Sequence, residues 1–420
     1  MLAAVAMTAL LLAAGLAIDM GYFRYQRRKM QTAADSAAIA GASAIPYCGS
    51  GANMCPAVVS AAQDDASNNG FTDGSNGTTV TPTNPTTGPY AGTQSVQVVV
   101  SQPQPTFFMK IAGILSSNVS ATAVAHLGNG PGCIYALGAG GVGGPSSLIP
   151  TFITADCAVF STGAINLPTS SDFLHNTTEN GEGSSCQGGG CYAYDGHGGI
   201  SPYPPQTIVP PADPLAYVPK PPDPGSCGGG MPQTFSTGTV PAGSYPCGIS
   251  VVGPGPVTFD GTYSLGATNA SAPALLVDAT VVVQSGPDGA TFYNNTGTIS
   301  LIPDPKNNVG TIELAAPNSG TYAGILFYQD ASDTRSATFG LYNGGTTGPD
   351  SYLQGALYFP TASIILDGFP YYNPSPIPNA PAQYTILVGY QVVVEGSIII
   401  NDNYSSLTNG SPIKAAVLVE

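Results

Sequence analysis

Eight cysteines, three histidines and a scatter of aspartates are the side chains of this 420-residue chain with the chemistry to do more than pack. The cysteines are even in number, and the simplest connectivity joins them in order: Cys48 to Cys55, Cys133 to Cys157, Cys186 to Cys191 and Cys227 to Cys247. Disulfides suit their surroundings, because Gly/Pro-rich loops bury too little to hold themselves, and each bridge contributes roughly 2–4 kcal/mol. The rival is zinc at Cys186, Cys191 and His197, a C-x4-C-x5-H spacing. Structural zinc sites use tighter knuckles and a fourth ligand, so disulfides are expected and a metal is not. Asp278, Asp288, Asp330, Asp333, Asp350, Asp367 and Asp402 are candidates for glycoside hydrolysis. That chemistry needs two carboxylates roughly 5 to 9.5 Å apart. Turn-forming aspartates explain the same residues equally well. Lyase chemistry lacks cations, since Arg335 is the only arginine after Arg28, and His126, His175 and His197 stand in unrelated contexts with no Ser-His-Asp order. The glycine-rich stretches lack the Lys-Ser/Thr and helix of a phosphate loop. Asn401-Asp402-Asn403 reads as a turn rather than a calcium loop. No catalysis, cofactor or metal is therefore expected.

The elements that position these residues begin with an unusual N-terminus. An uncharged apolar run from Met1 to Ile18 passes into Asp19, then into Arg24, Arg27, Arg28 and Lys29, then into the small-residue stretch from Ala33 to Ala44. No proline interrupts it, and its residues are good helix formers, so one helix of about 65 Å is expected. Its apolar half needs a bilayer, as a transmembrane segment, or a bundle of other copies. Basic residues follow the run instead of preceding it, which is not the order of a signal peptide. A short basic leader already removed accounts for this; a native start with an unusual anchor is the alternative. Asp19 has no cation at i+3 or i+4 and is expected to meet Arg24, Arg27 or Arg28 of a neighbouring copy, or else to mark the water interface with Tyr22 and Tyr25. Asp19, Tyr22, Arg24, Arg27, Arg28 and Lys29 are thus the candidate assembly residues.

Only 8% of residues are charged and the net charge is −15, which argues against nucleic acid as a partner. An apolar share of 43% argues against disorder. After the Cys48–Cys55 loop, Pro56 is placed to start a helix that stops at Gly70, and Val96, Val98 and Val100 alternate on one face of a strand. Pro105 to Leu115 (PTFFMKIAGIL) reads as a short amphipathic helix and Val119 to Leu127 as a strand.

Several of these segments resemble the TadE/TadG-like proteins of tight-adherence (Flp) pilus assembly. They are Ala17 to Ala42 (AIDMGYFRYQRRKMQTAADSAAIAGA), with its Asp19-x-Gly21 step and its Gln31-x-Ala-Ala-Asp-Ser-Ala-Ala38 sequence, then Phe107 to Gly113 and Val119 to Ala125. Farther on, GILFYQD (Gly324 to Asp330) and LQGALYFP (Leu353 to Pro360) resemble segments of long TadG-like members. The resemblance implies a bacterial cell-envelope or surface role, the pilus-assembly machinery as a partner and no known catalytic residues. One departure is Val5, where typical pilins carry glutamate.

From Pro131 onward, short Val/Ile-rich runs separated by Gly, Asn, Asp and Pro turns suggest rungs of roughly 20 to 25 residues. The expected architecture is mainly β with a long N-terminal α-helix. A pilin-like helix (1–45) leads to a small α+β module (46–130), then to a parallel β-helix or solenoid-like domain (131–420). A pair of β-sandwiches is the alternative. The stretch from about 181 to 246 reads as a Gly/Pro-rich excursion over the surface, and Lys414 to Glu420 as the closing strand of the solenoid or, less simply, a strand added to a neighbour. Three roles follow. One is a structural subunit of an extracellular filament, associating with copies of itself through the N-terminal helix after a membrane-bound stage. The others are a membrane-anchored accessory protein, and a tip adhesin or glycan-binding module.

Overall fold

The computed structural model describes residues 2–49, 53–130, 132–143, 152–155, 157–163, 165–166, 173–175, 179–181, 193–194, 200–201, 213–253, 255–269, 271–277, 282–302, 311–341, 351–368, 382–395 and 397–419. The side chains of residues 2–6 and 8–12 lie outside that description. The chain forms two units: Met1–Asn129 with Lys414–Glu420, and Gly130–Ile413. Among the described residues it is mostly β, with helix confined to the first unit.

In the first unit, helix α1 spans Leu2–Ser43 and helix α2 spans Pro56–Asn68, with Pro56 opening the latter as expected. Strands β1 (Thr79–Thr83), β2 (Ser95–Pro105) and β3 (Ser116–Asn129) form an antiparallel sheet. Met30, Ala33, Ala34, Ala37, Ala38 and Ala42 of α1 are fully buried. Their spacing of three and four residues draws one stripe down the helix. Val58, Ala62 and Ala66 of α2 and Val96, Val98 and Val100 of β2 complete this core. The small side chains allow close approach: a Cβ on Gly41 would stand 3.1 Å from Val96 Cγ1 and 3.4 Å from Ala62 Cβ. The small-residue half of α1 is therefore committed to its own unit. Among the described residues, no helix is long and apolar enough to cross a membrane.

Two expectations are corrected here. Lys414–Leu418 does not close the second unit; it pairs antiparallel with β3, Lys414 opposite Asn129, as the edge strand of the first unit's sheet. Pro105 to Leu115 is not an amphipathic helix. Pro105 ends β2, only Met109–Ala112 forms a 3₁₀ turn, and Gly113 at φ +84° stops it.

The second unit is built on a sheet of 17 strands among the described residues, all paired in parallel. Parallel register stacks like on like. Tyr263, Phe292, Phe327 and Leu357 align on successive strands, and neighbouring rings lie 5.4 and 5.0 Å apart. Beside them run Tyr293, Tyr328 and Tyr358, then Asn294 and Gln329, whose buried amides hydrogen-bond at 3.0 Å. Such columns satisfy side chains between neighbouring strands as the backbone ladder satisfies amides.

The order of strands is not the order of the chain. The unit's first strand, β4 (Gly132–Gly143), lies beside Thr385–Glu395, with Ala158–Ser161 on its other side. One end of the sheet is Glu179–Gly181 and the other is Gln233–Phe235. The chain between must therefore travel from one end to the other. Residues 213–224 make part of that journey as a strap: Asp213 meets Tyr358, Lys220 meets Asp330, Asp223 meets Tyr293 and Pro224 meets Ser244. Leu215 and Val218 of the strap are buried in the core, so this part of the excursion is not merely a surface loop.

Candidate assembly site

The junction between α1 and the loop joining β2 to β3 gathers two of the six candidate assembly residues, Asp19 and Tyr22. Asp19 is fully covered, and its carboxylate accepts three backbone N–H groups: Phe107 at 2.8 Å, Phe108 at 3.0 Å and Met109 at 2.7 Å. Desolvation works to raise its pKa, but the three amides and the nearby Lys110 ammonium outweigh it and hold the carboxyl below its ordinary value. Asp19 thus has its partners within its own unit, where the sequence offered a basic residue of another copy or the water interface. Tyr22 also turns inward; its hydroxyl donates to Gln104 Oε1 at 3.1 Å and its ring meets Phe107 edge-on at 5.1 Å. Gly15 is the third contact, since a Cβ there would stand 2.8 Å from the Phe108 ring.

Arg24, Arg27, Arg28 and Lys29 differ. All four are exposed, one to three turns beyond Asp19 on α1, and no ion pair engages them among the described residues. Leu16, Ile18, Met20 and Tyr25 of α1 are also exposed. The helix is therefore split, buried along one stripe from Met30 onward and largely uncovered over residues 13–20, Gly15 and Asp19 excepted.

The Gln31–Ala38 sequence ties the buried half in place, a role that its spacing alone did not disclose. Gln31 Nε2 donates to Thr122 O of β3 at 3.0 Å and to Asp35 at 2.7 Å. Ser36 Oγ donates to Asp65 of α2, and Asn69 Nδ2 reaches Ser36 Oγ at 3.1 Å. The Cys48–Cys55 bridge, Cα atoms 5.4 Å apart, fixes the entry to α2.

The other chemically capable residues are dispersed. Cys133–Cys157 and Cys227–Cys247 are disulfides, while Cys186, Cys191 and His197 lie outside the described residues. Among the described residues no metal-ligating cluster occurs. Asp278 and Asp350 also lie outside the description. Asp330 and Asp333 are both buried, and each meets a cation, Lys220 and Arg335 respectively. Asp330 Oδ2 takes Lys220 Nζ at 2.8 Å and Asp330 Oδ1 takes Ser332 Oγ at 2.6 Å. The Tyr293 hydroxyl stands 2.8 Å from Asp223 and 2.9 Å from Asp330, with one proton between two carboxylates. Burial opposes ionisation of Asp330, but Lys220, Ser332 and Tyr293 prevail and hold it well below the usual carboxylate range. Asp333 takes Arg335 Nε at 2.6 Å and Asn294 Nδ2 at 3.4 Å. Elsewhere, Asp260 accepts the Asp288 amide, His126 Nδ1 sits 3.0 Å from Ser95 Oγ, and Asn401 and Asn403 bond to turn backbone.

Residues 1–44 match the family described as "Putative Flp pilus-assembly TadE/G-like", and residues 25–125 match the one described as "Putative Tad-like Flp pilus-assembly". Over these residues the chain is similar to TadE/G-like proteins. The matches take in the Asp19 junction, the Gln31–Ala38 packing sequence and β2 with most of β3. The TadE/G-like portion ends just before the chain enters the second unit. No curated protein and no solved structure matches the chain.

Proposed function

We propose that this TadE/G-like protein is a non-catalytic structural component of a tight-adherence pilus system at the bacterial cell envelope or surface. It is held through the uncovered half of α1 and presents its second unit outward. One observation carries the reading: α1 is buried from Met30 onward, whereas residues 13–20 remain largely exposed although mostly apolar. Apolar helix surface of that kind is stabilised by a bilayer or by like helices. The family implies the same location. We read the parallel stack of the second unit as the coil of a parallel β-helix, a shape suited to display. Its aspartates are engaged by Lys220, Arg335, Ser332 and Asn294, which favours a structural role for them over catalysis.

Between filament subunit and membrane-anchored accessory, we favour the subunit, because a low-charge body joined by disulfides suits a durable polymer. Electron microscopy of material sheared from cells, with the chain identified by mass spectrometry, tests this. Filaments composed mainly of this chain are expected. Recovery of the chain only in membranes, as scattered monomers, would transfer it to the accessory role.

A further inference from the structure

The loop between β2 and β3 carries an apolar surface that its own unit leaves uncovered. Phe107 (46% exposed), Phe108 (43%), Ile111 (77%), Ile114 (44%) and Leu115 (74%) face outward within nine residues. The loop is nonetheless held firmly. The Asp19 carboxylate takes its three amides, Thr106 N donates to Leu115 O at 3.1 Å, and Phe108 sits against Gly15. These contacts fix the exposed side chains at the level of residues 15–20 of α1, where Leu16, Ile18 and Met20 are exposed on other sides of the helix. An apolar girdle results, with the apolar run continuing from it toward the N-terminus.

The charges around it are arranged by sign. Arg24, Arg27, Arg28 and Lys29 lie about 7–15 Å farther along α1 at roughly 1.5 Å per residue, all exposed, and Lys110 projects from the loop itself. Five of the nine basic residues of the whole chain thus stand beside the girdle, although the chain carries a net charge of −15. An apolar ring beneath a cationic ring matches the acyl boundary and anionic headgroups of a lipid bilayer.

We infer that the β2–β3 loop is a second membrane-insertion element. Phe107, Ile111, Ile114 and Leu115 enter the bilayer interface alongside α1, and Arg24, Arg27, Arg28 and Lys110 engage anionic phospholipid headgroups. The carboxylate of Asp19 holds the loop in that position, so the loop sets how deep α1 sits. This rests on the envelope-anchored reading above and adds the lipid contact to it.

The chain contains no tryptophan, so a single one reports its own surroundings. Ile111→Trp, Leu16→Trp and Ile302→Trp, each in the full chain, are reconstituted with vesicles of brominated phosphatidylcholine, with and without phosphatidylglycerol. Quenching and a blue shift are expected at positions 111 and 16, and neither at 302 in the second unit. Quenching at 16 without quenching at 111 overturns the inference and leaves anchoring by α1 intact. A chain that does not float with vesicles at all overturns both. A blue shift at 111 that needs no lipid and grows with protein concentration assigns the loop to a second copy and overturns the inference. Ile111→Asp and Leu115→Asp are expected to weaken partitioning about tenfold each. Neutralising Arg24, Arg27 and Arg28 to glutamine is expected to remove the phosphatidylglycerol preference, about fivefold per charge. Unchanged partitioning in the aspartate variants refutes insertion.

Discussion

Replacing Leu215 with alanine tests whether the strap is held by burial or by its visible polar contacts. Leu215 has no exposed surface. Truncation removes three carbons, about 2.4 kcal/mol of transfer free energy at roughly 0.8 kcal/mol each, and leaves a cavity that brings the cost to about 3 kcal/mol. The polar alternative is weaker. Tyr358→Phe removes the hydrogen bond from the hydroxyl to Asp213 Oδ2 at 2.6 Å. The carboxylate left behind is only partly buried and regains water, so about 1 kcal/mol is expected. The strap runs across strands it does not pair with, so it can open without the sheet unfolding. Hydrogen exchange of residues 215–224 should then accelerate about a hundredfold in Leu215→Ala and about fivefold in Tyr358→Phe. The strands around Phe292 and Phe327 should exchange as before. If Leu215→Ala leaves the strap amides unchanged, or if Tyr358→Phe exceeds it, the strap is not held by its buried leucine.

Acid should loosen the same strap through Asp330. Its pKa is lowered on folding, so its contribution is complete above the unfolded value of 3.8 and is lost as pH falls through the lower folded value. Exchange of residues 215–224 should rise in that acidic window in the native chain, with a smaller step in Asp330→Asn, where only Asp223 of the pair still titrates. Joint replacement of Cys227 and Cys247 by serine should lower stability by about 3 kcal/mol, read as an earlier denaturant midpoint, because the bridge closes a 20-residue separation. Phe327→Ala should cost about 3–5 kcal/mol in the same assay, since that ring is 1% exposed and lies between Phe292 and Phe339. Asp19→Asn places an amide donor against three backbone donors; exchange at Phe107–Met109 should rise while α2 stays protected. Equal protection of the loop in that variant would remove Asp19 as its anchor.

What was legible in the sequence was local. Pro56 announces the start of α2, and the alternation of Val96, Val98 and Val100 announces a buried strand face. In-order pairing of cysteines succeeds where the partners lie near each other in the chain, as Cys48 with Cys55 and Cys227 with Cys247 do. What was illegible depends on distant partners. The acceptor role of Asp19 needs amides 88 to 90 residues away, and no pattern around Asp19 encodes them. The apolar spacing of PTFFMKIAGIL looks helical because Phe107, Ile111 and Leu115 recur every fourth residue. Those side chains point outward instead, so the period describes an exposed surface and not a packed helix face. Leu215 and Val218 are too few to make a period among the prolines of the strap, and the return of the chain across the sheet is what buries them.

The C-terminal strand explains how a TadE/G-like portion and a second unit share one chain. Asn129 and Lys414 are opposite residues of an antiparallel pair, so the first unit's chain leaves and returns at one place in its own sheet. A hairpin needs only a few residues at such a point; here residues 130–413 occupy it. Insertion at the end of a strand pair leaves the register of the sheet undisturbed, because both strands are already aligned by their hydrogen bonds. It also accounts for the misplacement of Lys414 to Glu420: an apolar run at the end of a β-rich stretch reads as belonging to its neighbours in sequence. The β3 edge competes for the same strand, and it offers a partner already ordered by α1. The residues that hold that partner, Gln31 to Thr122 and the alanines beneath them, lie within the matched residues at the other end of the chain.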